Sequence, residues 1–206
     1  MKSIGMPSAP RTSGLRGEQT DAVRERLLVA ALAVIEGERE PTMRAVAAEA
    51  GVAERTVYRY FASRDALYEA LRPRFQGRAG VPLCAEAHGL EAYVRALYTT
   101  FEDNRALVMA LVMAPWAVPF LQRSRADNLR ALGALLDTAF PGAPASERAS
   151  AAAALRMPLS AAGWSYLTAA GLDLEASIGH VQWLVRTVLD ALGRASTARP
   201  RRTKST

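Results

Sequence analysis

Arg55, Thr56, Tyr58, Arg59 and Tyr60 crowd into one short segment of the chain, directly after Gly51. Together they offer two guanidinium groups and three hydroxyls. A guanidinium can grip guanine O6 and N7 in a bidentate fork, and tyrosine and threonine hydroxyls can reach phosphates or base edges. Packing alone does not call for so many donors, although the tyrosines could also be half-buried packing residues.

The spacing around them describes a helix–turn–helix. Ala47, flanked by Val46, sits four residues before Gly51, and Val57 sits six after it, with Val52 following the glycine. A helix–turn–helix needs a small residue where two helices cross, a glycine where φ turns positive, and an aliphatic residue facing back to the core. A helical corner without function would show the same features. With Val57 and Phe61 turned inward, the five donor residues face solvent. Thr42 caps a short helix from Met43 to Ala50, a third helix covers Glu54–Tyr60, and Ser63 caps a fourth that runs to Phe75. Thr42 and Arg64 then lie at helix amino ends, where backbone N–H groups favour a phosphate.

Residues 42–67, TMRAVAAEAGVAERTVYRYFASRDAL, closely resemble the amino-terminal DNA-binding domain of TetR-type transcriptional regulators. The resemblance implies that Thr42, Tyr58, Tyr60 and Arg64 contact phosphates, while Ala53, Glu54, Arg55, Thr56 and Arg59 address the groove. Arg44 joins the same DNA-binding set. Glu54 stands where that family commonly has a lysine, and Arg55 where it commonly has a glycine. Glu54 can accept from cytosine N4 or repel phosphate.

Around this motif the chain reads as all-α. Alanine and leucine dominate its 206 residues, and no strand pattern or internal repeat stands out. Thr20 and Asp21 open a first helix whose Val23, Leu27, Ala31, Val34 and Ile35 share a face, ended by Gly37. After Gly77, Gly80 and Pro82, helices are expected over 90–104, 106–113, 120–140, 146–170 with a kink at Pro158, and 174–192. The expected domains are a basic disordered arm over 1–17, a DNA-binding domain over 18–65, a helical ligand-binding and dimerisation domain over 66–194, and a basic disordered tail over 195–206. The formal charge is +6. Residues 1–17 carry three cations and residues 194–206 five, with no acid in either segment. These ends are either solvated or attracted to phosphate.

The resemblance implies that the larger domain binds a small effector and dimerises. On the last helix Ile178, Val181, Val185, Val188 and Leu192 form a stripe that Trp183, Leu184 and Leu189 broaden beyond what one core needs. The preceding helix adds Leu155 and Leu159 beside small residues, and Leu155, Leu159, Ile178, Val181, Leu184, Val185 and Val188 are the expected dimer contacts; a wide face buried within a monomer is the alternative. Tyr98, Phe101, Met109, Met113, Trp116, Phe120, Met157 and Trp164 are the large or adaptable apolar residues available to a ligand, or to the core. The prolines of APWAVPF make imperfect packing and a cavity plausible. Arg105, Arg125, Asp127 and Arg156 are the nearest polar groups. So few charges point to an apolar or aromatic effector.

Catalysis is not expected. His88 and His180 have no metal-binding spacing, Ser165 lacks the flanking glycines of a nucleophile elbow, and no Gly-rich phosphate loop occurs. Cys84 is the single cysteine, which excludes an internal disulfide and a cysteine-based zinc site. No cofactor or metal is expected. The absence of a signal peptide or long apolar run points to a cytoplasmic protein with no membrane partner. The expected function is a homodimeric, sequence-specific transcriptional repressor, bound to an inverted-repeat DNA site and released by a small molecule. A dimeric regulator without a ligand and a helical small-molecule binding protein are the alternatives.

Overall fold

The computed structural model describes residues 13–197, apart from the side chains of residues 13–19, Pro119 and Phe120. Most of the basic arm and the final nine residues of the tail therefore lie outside the described residues. Among those described there are ten α-helices and no strand. The chain divides into two compact units, Met1–Leu71 and Arg72–Thr206.

The first unit holds α1 (Ser13–Glu36), α2 (Met43–Glu49), α3 (Glu54–Tyr60) and the start of α4 (Arg64–Ala79). Helix α1 begins before Thr20, earlier than its sequence signals suggest. Its Leu27, Ala31, Val34 and Ile35 have no exposed surface, while Val23 is half-buried. Helix α1 packs on α2, and α2 on α3. The core between them adds Val46, Ala47, Val57 and Phe61.

The turn between α2 and α3 follows from Gly51. Its φ of 65° lies in the left-handed region, while nothing stands within 4 Å of the place a Cβ would occupy. The glycine is needed for its backbone angle, not for space. Gly51 N–H donates to Ala48 O (3.2 Å) and Val52 N–H to Ala47 O (2.9 Å), so the last carbonyls of α2 are satisfied as the chain reverses.

The second unit contains α5 (Leu90–Asp103), α6 (Arg105–Met113), α7 (Val118–Ala139), α8 (Ala145–Arg156), α9 (Ala161–Ala169) and α10 (Leu174–Thr197). Leu90, Val94, Leu97 and Tyr98 of α5 and Ile178, Val181 and Val185 of α10 belong to one buried cluster with Leu132 and Leu136 of α7 and Leu155 of α8. Arg95 holds Glu175 through two hydrogen bonds of 2.7 and 2.9 Å, and Arg186 holds Glu91 at 2.6 Å, both between α5 and α10.

One helix expected over 146–170 is in fact two. Pro158 has no N–H to continue the ladder, Ser160 Oγ accepts from Gly163 N–H (3.2 Å), and α9 starts afresh. A Cβ at Gly163 would stand 2.5 Å from Met157 O, so the corner admits only glycine. The leucines of α7 are unevenly buried along its length. Leu132 and Leu136 are buried, Leu121 is half-buried, and Leu129 and Ala139 are exposed.

Candidate nucleic-acid interface and ligand cavity

Helix α3 owes its orientation to two buried side chains, Val57 at 0% and Phe61 at 2% exposure. Between and beside them Arg55, Tyr58 and Arg59 are exposed, with Ala53 and Glu54 before them. Thr56 and Tyr60 are half-buried, so they present edges where full exposure was expected. Tyr60 lies under the Arg59 guanidinium, 5.2 Å from the ring centroid, and the Arg24 guanidinium of α1 covers Phe61 at 5.4 Å.

The amino ends of α2 and α4 meet this helix. Thr42 Oγ1 accepts from Ala45 N–H (3.1 Å), and Ser63 Oγ accepts from Ala66 N–H (3.1 Å). A surface notch brings together Thr42, Arg44, Glu54, Tyr58, Ser63 and Arg64. Three separate stretches of the chain, 42–44, 54–58 and 62–64, thus share one small site whose hydroxyls and guanidiniums suit a phosphate. Arg64 is engaged there by Glu40 at 2.6 Å, an exposed pair of little energy that a phosphate can replace. Arg44 and Arg55 have no carboxylate partner among the described residues. Their charge is available to DNA.

Five of the seven expected dimer contacts are enclosed within one chain. Leu155, Ile178, Val181 and Val185 have no exposed surface within a single chain, and Leu159 has 7%. A side chain already enclosed by its own protomer has nothing left for a second copy. Leu184 and Val188 are half-buried against the same core. The stripe read from sequence is the inward face of α10. Its outward face carries Trp183, 58% exposed, and α8 exposes Ala153 and Ala154.

Within the second unit lies a cavity of about 810 Å³. Its walls come from the end of α4, the segment after it, α5, α6, α7 and the α8–α9 corner, and include Phe75, Leu97, Leu111 and Leu159. Of the expected ligand contacts whose side chains are described, only Phe101 lines it. Tyr98 is fully buried and donates to Pro158 O (2.8 Å); burial pushes its phenol well above the usual range. Trp164 is core, its ring tilted 54° against Phe101 with centroids 5.9 Å apart and covered by Arg105 at 5.2 Å. Met113 and Met157 are exposed, Met109 packs on the core, and Trp116 is half-buried outside the lining. The side chain of Phe120 lies outside the described residues.

Arg125, Asp127 and Arg156 do line the cavity, as does Arg72, whereas Arg105 does not. Tyr93 also reaches it, its phenol pushed up to about 12 by burial and, secondarily, by Cys84. Gln76 and Ala79 escaped the sequence reading because the glycine at 77 made α4 look finished at Phe75, and Arg72, inside that helix, carries no signal that separates a cavity wall from a solvated face.

Residues 27–71 match the family described as bacterial regulatory proteins, tetR family. A solved structure described as a TetR-like transcriptional regulator from Rhodococcus sp. RHA1 is similar in fold, with a TM-score of 0.59 and 24% identity. The match covers 82% of this chain and 97% of that one. No curated protein matches the chain.

Proposed function

The chain belongs to the tetR family of bacterial regulatory proteins through its residues 27–71, and from that premise we propose that it is a homodimeric transcriptional repressor whose DNA affinity a small molecule controls. The observation that carries the DNA half is the notch that collects Thr42, Tyr58 and Arg64 beside the exposed Arg55 and Arg59. Phosphate grips of this kind fix the register of the protein on the duplex, and the two arginines then read base edges.

The cavity of the second unit supports the effector half. At about 810 Å³ it falls in the size range of small-molecule sites, and its walls are largely apolar. Dimerisation through the outward faces of α8 and α10 agrees with the exposed Trp183 on α10 and the exposed Ala153 and Ala154 on α8. A gel-shift with the DNA upstream of the chain's own gene tests the reading. Binding that resists scrambled competitor and is lost in Arg55→Ala supports it. Equal affinity for scrambled DNA overturns it.

A further inference from the structure

The walls of the cavity are not uniform in charge. Helix α7 contributes Leu121, Ser124, Arg125, Asn128, Ala131 and Leu132, a stripe with i, i+3, i+4 spacing. Its first half carries hydroxyl, guanidinium and carboxamide donors. Facing it are apolar surfaces from α5 and α6, among them the buried Leu97, Phe101 and Leu111. A second guanidinium, Arg156, arrives from the end of α8.

The lining holds the guanidinium groups of Arg72, Arg125 and Arg156 against the single carboxylate of Asp127. Asp127 is bonded to Arg130, one turn along α7 and outside the lining. Neither Arg125 nor Arg156 has an ion-pair partner among the described residues. Arg156 is half-buried before any ligand arrives. A neutral apolar ligand seated against it would strip water from a cation and supply no counter-charge, which is costly. An anionic head group would supply the counter-charge, and arginine keeps its charge at any working pH.

We infer that the effector is an amphipathic anion, a hydrophobic body bearing a carboxylate, with its head between Arg125 and Arg156 and its body on the α5–α6 wall. This rests on the proposed reading of the cavity as the effector site, and it adds a charge to the apolar molecule expected from sequence. Arg125 is exposed and Arg156 is half-buried. The first draws the anion in from solvent with a strength that falls as salt rises, and the second holds it where screening is weaker.

Three probes with one tail and different heads test the inference: dodecanoate, dodecanol and dodecylamine, titrated calorimetrically into the full chain below their aggregation limits. Dodecanoate should bind at least about tenfold more tightly than dodecanol, with dodecylamine weakest. Arg125→Gln combined with Arg156→Gln should bring dodecanoate down to the level of dodecanol, and Arg130→Gln, which leaves the Asp127 carboxylate of the lining without its partner, should weaken dodecanoate but not dodecanol. Should the double variant lose its helical circular-dichroism signal, the single Arg125→Gln, at an exposed position, and the salt dependence of dodecanoate binding carry the test. Equal binding of acid and alcohol overturns the anionic head while leaving the effector cavity standing. Failure of all three probes overturns both.

Discussion

Glu54 is the one acid in the notch formed with Thr42, Tyr58 and Arg64. A phosphate held by those three donors would meet its carboxylate, and like charges repel. Glu54→Gln should therefore tighten binding to operator and scrambled DNA alike, by about 0.5–1 kcal/mol at low salt, an exposed-charge effect that fades as salt rises. Fluorescence anisotropy on both DNAs checks it. Selective weakening on the operator would instead make Glu54 a reader of cytosine N4. Arg55→Ala should remove about 1–3 kcal/mol of specific binding and leave the melting temperature unchanged, because the side chain is exposed. These positions could be read from the chain because Val57 and Phe61 pin the helix and leave their neighbours outside. The ligand positions could not. A large apolar residue looks the same in sequence whether it fills a core, like Tyr98 and Trp164, or faces a cavity, like Phe101.

Helices depend on glycine differently from place to place, and two substitutions separate the cases. Gly51 has φ 65°, so Gly51→Ala forces an L-residue into the left-handed region and should cost about 1–2 kcal/mol in urea unfolding, with DNA binding weakened further as α3 shifts. Gly133 is inside α7, and nothing lies within 4 Å of its absent Cβ. Gly133→Ala should stabilise by about 0.5–1 kcal/mol. Arg148 belongs to the same scale: it pairs with Asp137 and donates to the carbonyls of Phe140 and Ala143, closing the turn between α7 and α8. Arg148→Met should lower stability by about 1–3 kcal/mol, since the carbonyls lose a charged donor. Most helices were legible because caps and glycines punctuate the chain. The α8–α9 break was not, because a proline inside a helical pattern permits either a kink or a stop, and Ser160 and the crowding at Gly163 decide for the stop.

For the whole molecule, the buried stripe of α10 changes how assembly should be probed. Val185 has no exposed surface, so Val185→Asp should unfold the second unit, whereas Trp183→Asp, on the exposed side, should leave helicity intact. Sedimentation of the native protein should give twice the 22.2 kDa chain mass, and Trp183→Asp should shift it toward one. A native monomer would remove the basis for two recognition helices spaced about 34 Å apart on an inverted repeat. Control by a ligand is the last consequence at this scale. Helix α4 is continuous from Arg64 to Ala79 and contributes Arg64 to the notch and Phe75 to the cavity wall. A ligand can shift DNA affinity only through its own difference in affinity for the DNA-bound and unbound states, and such coupling is about 1–3 kcal/mol. Thermodynamic reciprocity then requires operator DNA to weaken the ligand by the same factor. Trp164 packs on the cavity residue Phe101, so its fluorescence offers a readout of occupancy. Titrating dodecanoate with and without operator should give affinities that differ about 5- to 150-fold. Equal affinities would rule that molecule out as the effector, and if every ligand of the cavity behaved so, regulation without a ligand would be the better description of the protein.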